Sequence, residues 1–209
     1  MCREKKPVAV DTFAYERQLH ADGVLPVAGV DEAGRGPLAG PVVAGAVILP
    51  AEMDHRPFRD SKKLTAKGRE QVFALLEDLQ VPMAIGICSP AEIDEINILQ
   101  ASLLAMRRAV EKLSEQPAFL LVDGKFTVNM ALPQQALIKG ESKSASIAAA
   151  SVLAKVSRDR MMADLAEHYP LYNFAQHKGY PTKAHKALIA AHGPSPVHRL
   201  TFRGVKEYI

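Results

Sequence analysis

Apolar and polar positions along the chain change period several times, and each change predicts an element. From Pro26 to Pro50 two apolar runs rich in Val, Ile and small residues flank a polar turn, which predicts two strands joined tightly. Upstream, Phe13 and Leu19 anchor a short helix over Thr12 to Ala21 that Gly23 ends. Downstream, Thr65 caps a helix to about Gln80, on which Val72, Leu75, Leu76 and Leu79 form one apolar stripe. Pro82 breaks it, and Met83 to Cys88 predicts a third strand.

Leu99, Leu103, Met106, Val110 and Leu113 alternate four and three residues apart, so an amphipathic helix laid on a sheet follows Ser89 and Pro90 and stops at Pro117. Phe119 to Val122 predicts a buried strand ending at Asp123, and Ala136 to Lys139 another that delivers Glu141. From Ser144 an alanine-rich helix runs to about Tyr169, with Ala145, Ala148 and Ala149 allowing close approach to the sheet. Thr182 caps a last helix to Ala191. Strands alternating with helices, without repeats or a linker, predict one α/β domain over residues 1–209.

Composition narrows the class. A 48% hydrophobic and 23% charged chain of 209 residues can bury a sizeable core. Residues 155–209 carry nine Lys or Arg against four acids, and five of the seven histidines. A basic C-terminal quarter beside an acidic site suits a polyanion, although a solvated helix face has the same composition. Cys2 and Cys88 alone give neither a disulfide framework nor a thiolate cluster. No stretch has the apolar length of a signal peptide or membrane span, so a cytoplasmic setting is expected.

Candidate chemistry begins at Asp31 and Glu32, directly before the turn Gly34, Arg35 and Gly36. Burying such a pair is costly without a partner, so its apolar flanks favour a site over a solvated turn. Side chains alternate faces along a strand, so both acids can enter one site only if the strand ends or bulges there. A dinucleotide fingerprint fails, because the third glycine, Gly40, comes late and a strand follows where a helix should begin. With Asp123 and Glu141, acids arrive from separate strand ends. An oxygen-only set points to Mg2+ or Mn2+ rather than zinc. Two such ions about 4 Å apart can activate a water and brace a phosphodiester. His177 and His185 lie on different elements without a matching acid motif, and no nucleophilic serine elbow occurs.

The stretch GVDEAGRGPLAGPVVAGAVIL resembles the opening signature of the bacterial ribonuclease HII, or type 2 ribonuclease H, family. DSKKL at 60–64, EIDEINIL at 92–99, VDG at 122–124, SIAAASVLAKVSRDRMM at 146–162 and FAQHKGYPT at 174–182 agree in order and spacing. The resemblance covers roughly residues 26 to 205 and implies a ribonuclease H-like fold: a mixed five-stranded sheet flanked by helices, with a C-terminal helical extension over about 160–209 that binds substrate.

By the same resemblance Asp31, Glu32 and Asp123 match the family's first three metal-binding acids, and Glu141, in KGES, stands where the family has the aspartate of KGDS. Asp159 competes as fourth ligand; about 22 Å along the same helix, it cannot reach the same ions as Glu141, and its arginine neighbours suit local charge balance. Gly34, Arg35 and Gly36 match the loop that meets the ribose 2′-hydroxyl. Tyr180 matches a tyrosine stacked on the adjacent sugar, and Lys62, Lys63 and Arg35 are candidate phosphate contacts. The implied activity is cleavage of the RNA strand of RNA/DNA hybrids, and 5′ of single ribonucleotides in duplex DNA, by a monomer using two Mn2+ or Mg2+ ions. The alternatives are another nuclease of the superfamily, or a nucleic-acid binding module without catalysis.

Overall fold

The computed structural model describes residues 11–58 and 64–209. Five strands form one sheet in the order β3-β2-β1-β4-β5, with β1 Val27–Ala33, β2 Val42–Ile48, β3 Met83–Cys88, β4 Phe119–Asp123 and β5 Gln134–Leu137. β2 runs antiparallel to both of its neighbours, β1 and β3, whereas β1–β4 and β4–β5 are parallel. The mixed sheet flanked by helices is the architecture that the family resemblance implied.

Two layers of helix cover the sheet. On one face α3, Pro90–Glu111, buries Ala101, Ala105, Met106, Ala109 and Val110 against Ala28, Val30, Ala44 and Ala46. On the other lies α4, Ala145–His168, backed by α1, Ala14–Ala21, and α2, Ala66–Asp78. Glycines set the spacing: a Cβ at Gly29 would stand 2.1 Å from the Ser146 carbonyl carbon, and one at Gly45 2.5 Å from the Ala150 oxygen. α4 therefore rests on bare strand backbone. Its points of closest approach are Ser146, Ile147 and Ala150, while Ala145, Ala148 and Ala149 are buried in the cluster shared with Phe58 and α2. The short α5, Phe174–His177, and α6, Lys183–His192, complete the C-terminal portion. Among the described residues no helix is long and apolar enough to cross a membrane.

Several expectations shift. α3 is broken at Asn97, whose φ of 66° is left-handed and whose Oδ1 accepts from the Leu99 and Gln100 amides. The break restarts the helix, so Leu99 is only partly buried and lies outside the core stripe. On α2, Phe73 is buried, while Leu79 is the exposed C-cap just before Gln80 turns left-handed. β5 starts and ends two residues earlier than expected, and Glu141 sits on a 3-10 turn, Gly140–Ser142, rather than at a strand end. The caps assigned to Thr65 and Thr182 hold, and Ser144 caps α4 in the same way: each accepts from an amide three residues on.

Candidate active site

β1 continues without a bulge through both acids, pairing Asp31 with Gly45 and Glu32 with Ala44. The strand end that the acid pair required is not on this side. What stops is the β1–β4 pairing, at Val30 opposite Val122, so the sheet opens one residue before Asp31 and Asp123. Here β1 leads on to β2 on one side and β4 to β5 on the other, the topological switch where parallel strand ends leave a crevice. Asp31 faces α4, whereas Glu32 starts from the α3 face and reaches the same crevice beyond the last β4 pairing.

The crevice, about 230 Å3, is lined by Asp31, Glu32, Ala33, Gly34, Arg69, Asp123, Ser151, Lys155 and Tyr180. Asp31 is buried and its Oδ1 accepts from the Glu32 amide at 2.7 Å. Burial, then the charges of Glu32 and Asp123, pushes the Asp31 carboxyl well above its ordinary range. Glu32 is raised in turn by burial, against the pull of Arg35, whose Nη1 lies 3.1 Å from Glu32 Oε1. The second oxygen, Glu32 Oε2, is buried and has no partner among the described residues. Asp123 Oδ1 accepts from the Gly140 amide at 2.6 Å.

Glu141 is buried but does not line the crevice; it joins through Ser151, whose Oγ donates to Glu141 Oε2 at 3.3 Å and also hydrogen-bonds Asp31. Among the described residues no three of His, Cys, Asp and Glu stand ready as a metal cage. Glu32 is turned to Arg35 and Glu141 to Ser151. The donor set nevertheless fits a hard divalent cation: hard oxygens, raised carboxyls that positive charge would lower, and an orphaned buried carboxylate oxygen.

Other expected residues fall around this crevice. Gly34 lines it, and a side chain at Gly36 would come 3.9 Å from the Tyr180 ring. Arg35 is ion-paired to Glu32, a role the phosphate reading did not anticipate. Asp159 pairs with Lys155 Nζ at 2.7 Å; its flanking arginines go elsewhere, Arg160 to Glu70 and Arg158 to backbone carbonyls. Lys62 and Lys63 lie outside the described residues. Sequence reasoning missed Ser151, Lys155 and Arg69. The first two are four residues apart on α4, and polar residues at that spacing in an alanine-rich helix were the available signal.

His177 and His185 belong to a buried aromatic knot with His198, Tyr172 and Phe174. The Ser195 amide donates to His198 Nδ1 at 2.9 Å, which leaves the His198 Nε2 proton for His185 Nε2 at 3.0 Å. His185 Nδ1 then donates to the Tyr180 carbonyl at 3.0 Å. These rings are structural supports of the Tyr180 loop.

A mixed sheet in this strand order, with acids at the end of β1 and of its parallel neighbour β4, defines a nuclease of the ribonuclease H-like class. The ribonuclease HII family model matches residues 28–205. Ribonuclease HII of Desulfotalea psychrophila is 57% identical over 202 residues, 95% of this chain and 90% of that protein. That of Geobacter sulfurreducens is 52% identical over 99% of this chain and 94% of its own length. Among solved structures, the Pyrococcus horikoshii ribonuclease H2 superposes with TM-score 0.72 at 28% identity, covering 87% of this chain and 96% of that one. Bst-RNase HIII in complex with Mn2+, 18% identical over 99% of this chain and 75% of that one, shares the fold at TM-score 0.68. The chain belongs to the ribonuclease HII family, and is a ribonuclease H endonuclease.

Proposed function

We propose that this endonuclease hydrolyses the RNA strand of RNA/DNA hybrids and cuts 5′ of single ribonucleotides in duplex DNA, leaving 3′-hydroxyl and 5′-phosphate ends. The carrying observation is the shared crevice of Asp31, Glu32 and Asp123, where a buried carboxylate oxygen has no protein partner. Asp31, Glu32, Asp123 and Glu141 would hold Mg2+ or Mn2+, two ions in the working complex. Bound there, such ions supply Lewis-acid activation of water and charge stabilisation at the leaving oxygen.

The chain's own groups do the remaining work. Lys155 and Arg69 put positive charge on the crevice wall, where a phosphate bearing two flanking nucleotides would lie. Tyr180, 41% exposed, has the Lys155 and Arg158 cations each 5.9 Å from its ring centroid and offers its free face to a sugar. The Gly34–Gly36 turn approaches the 2′-hydroxyl, which separates RNA from DNA. The helical portion over 160–209 supplies the duplex-binding surface, and the protein acts as a monomer.

Duplex DNA with one ribonucleotide, incubated with Mg2+, Mn2+ or EDTA, tests this. A nick 5′ of the ribonucleotide with metal and none in EDTA is expected. Equal cutting of the all-DNA duplex would point to a different nuclease of the superfamily and sink the proposal.

A further inference from the structure

Two arginines are fully buried, Arg158 from α4 and Arg199 from the segment after α6, and neither makes an ion pair among the described residues. Their donors go to backbone carbonyls. Arg199 Nη2 donates to Gly34 O at 2.6 Å and to Gly40 O at 2.9 Å, Nη1 to Arg35 O at 3.0 Å and Nε to Gly40 O at 3.1 Å. Arg158 donates to Pro41 O at 2.9 Å and to Ala39 O and Lys178 O at 3.1 Å each. Burial pulls both guanidinium groups down, Arg199 to about 9, and an arginine side chain in a protein keeps its charge.

Burying a cation without a counter-ion is unfavourable for stability, and carbonyl dipoles offset only part of it. A peptide unit is planar and trans, so its N–H points opposite to its C=O. With the Gly34 and Arg35 carbonyls turned onto Arg199, the Arg35 and Gly36 amides are turned away from it. Neither amide donates to an acceptor among the described residues. The same frame reaches the Tyr180 loop, since Leu38 N donates to Gly179 O at 2.7 Å and Arg158 holds Lys178 O. Leu38 O in turn accepts from Arg199 N at 2.8 Å, and Gly40 N donates to Val197 O at 2.8 Å.

We propose that Arg199 is a positioning residue for sugar discrimination: by gripping the carbonyls of Gly34, Arg35 and Gly40 it fixes two free amides opposite Tyr180, in the orientation that receives a 2′-hydroxyl. This rests on the reading of the Gly34–Gly36 turn as the ribose contact. Arg199 itself touches no substrate; it acts from beneath the turn. The chemistry selects guanidinium, because lysine cannot present a planar fork to three carbonyls.

The test is equilibrium binding of a duplex with one ribonucleotide and of the same duplex in all-DNA form, in EDTA so that cleavage is excluded, by wild type, Arg199→Met and Arg199→Lys. The expected result is a loss of about tenfold in the ratio of the two affinities for Arg199→Met, and a smaller loss for Arg199→Lys, with all-DNA binding within about twofold of wild type. A merely structural role would weaken both duplexes together. A variant that melts cooperatively and keeps the wild-type ratio overturns the proposal, and so does unfolding of both variants. A wild-type ratio of one removes the reading of the turn, and the proposal with it.

Discussion

Asp123 Oδ1 accepts the Gly140 amide at 2.6 Å, which ties the end of β4 to the turn bearing Glu141. A Cβ on Gly140 would stand 3.1 Å from that oxygen and 2.6 Å from Ile147 Cδ1, so glycine lets the two acids' backbones close up. Asp123→Asn keeps an oxygen for the Gly140 amide and removes only charge. Its expected phenotype is a cooperative fold and duplex binding within about threefold of wild type, with turnover lowered by at least about a thousandfold. Wild-type-like turnover in a nicking assay would take Asp123 out of the mechanism.

Asp31 shows the opposing demands of function and stability. Its carboxyl is raised by burial and by Glu32 and Asp123, so the folded state holds a proton that the unfolded state releases near the ordinary value of 3.8. Above that value ionised Asp31 therefore opposes folding. Asp31→Asn retains an acceptor for the Glu32 amide, and in EDTA its Tm is expected to rise by roughly 2–4 °C for each kcal/mol of relieved repulsion. The same variant is expected to lose cleavage. A lowered Tm in calorimetry contradicts the electrostatic account.

Most of the sheet was legible because its signals are local. Apolar runs between Pro and Gly marked β1 to β4, and Thr65, Ser144 and Thr182 cap within four residues of their targets. The break at Asn97 was not legible, since Ile98 and Leu99 continue an apolar period through a residue whose side chain caps the next turn. Nor was Arg199, whose carbonyl partners lie 159 to 165 residues away and leave no periodic trace. The acid pair was legible as a site, but not how it assembles: the opening of the sheet is a property of where β1–β4 pairing stops, which depends on both strands at once.

Burial pulls His185 and His198 down to about 4, and lowers His177 as well. For a depressed histidine the neutral form is the folded form. Its contribution to stability is complete above the ordinary value of 6.5 and is lost as pH falls from there toward 4. By pH 5 each of the two rings would remove up to about 2 kcal/mol, and Tm is expected to drop accordingly. Asp31 and Glu32, being raised, act in the opposite direction. His185→Gln should therefore flatten the profile between pH 7 and pH 5 relative to wild type, and an unchanged slope in thermal melts would show that the rings do not govern it.

Glu141 stands where the family resemblance expects aspartate, and the turn that carries it shows what its extra methylene reaches. Its Oε2 takes the Ser151 hydroxyl at 3.3 Å, and Ser151 also bonds Asp31, so the acid is drawn toward the α4 side of the crevice. Shortening the side chain retracts the carboxylate by about 1.5 Å without changing its charge. Glu141→Asp is expected to keep maximal turnover within about tenfold while raising the metal concentration needed for half-maximal rate, because charge is retained and reach is not. Glu141→Gln keeps reach and loses charge, and is expected to fall by about a hundredfold or more. Ser151→Ala, which removes only the hydroxyl that orients both acids, should lie between them, in the 10- to 100-fold range of such supporting contacts, roughly. Metal titrations of initial rate on a single-ribonucleotide duplex separate the three, and Glu141→Gln turning over like wild type would remove Glu141 from the ion-binding set.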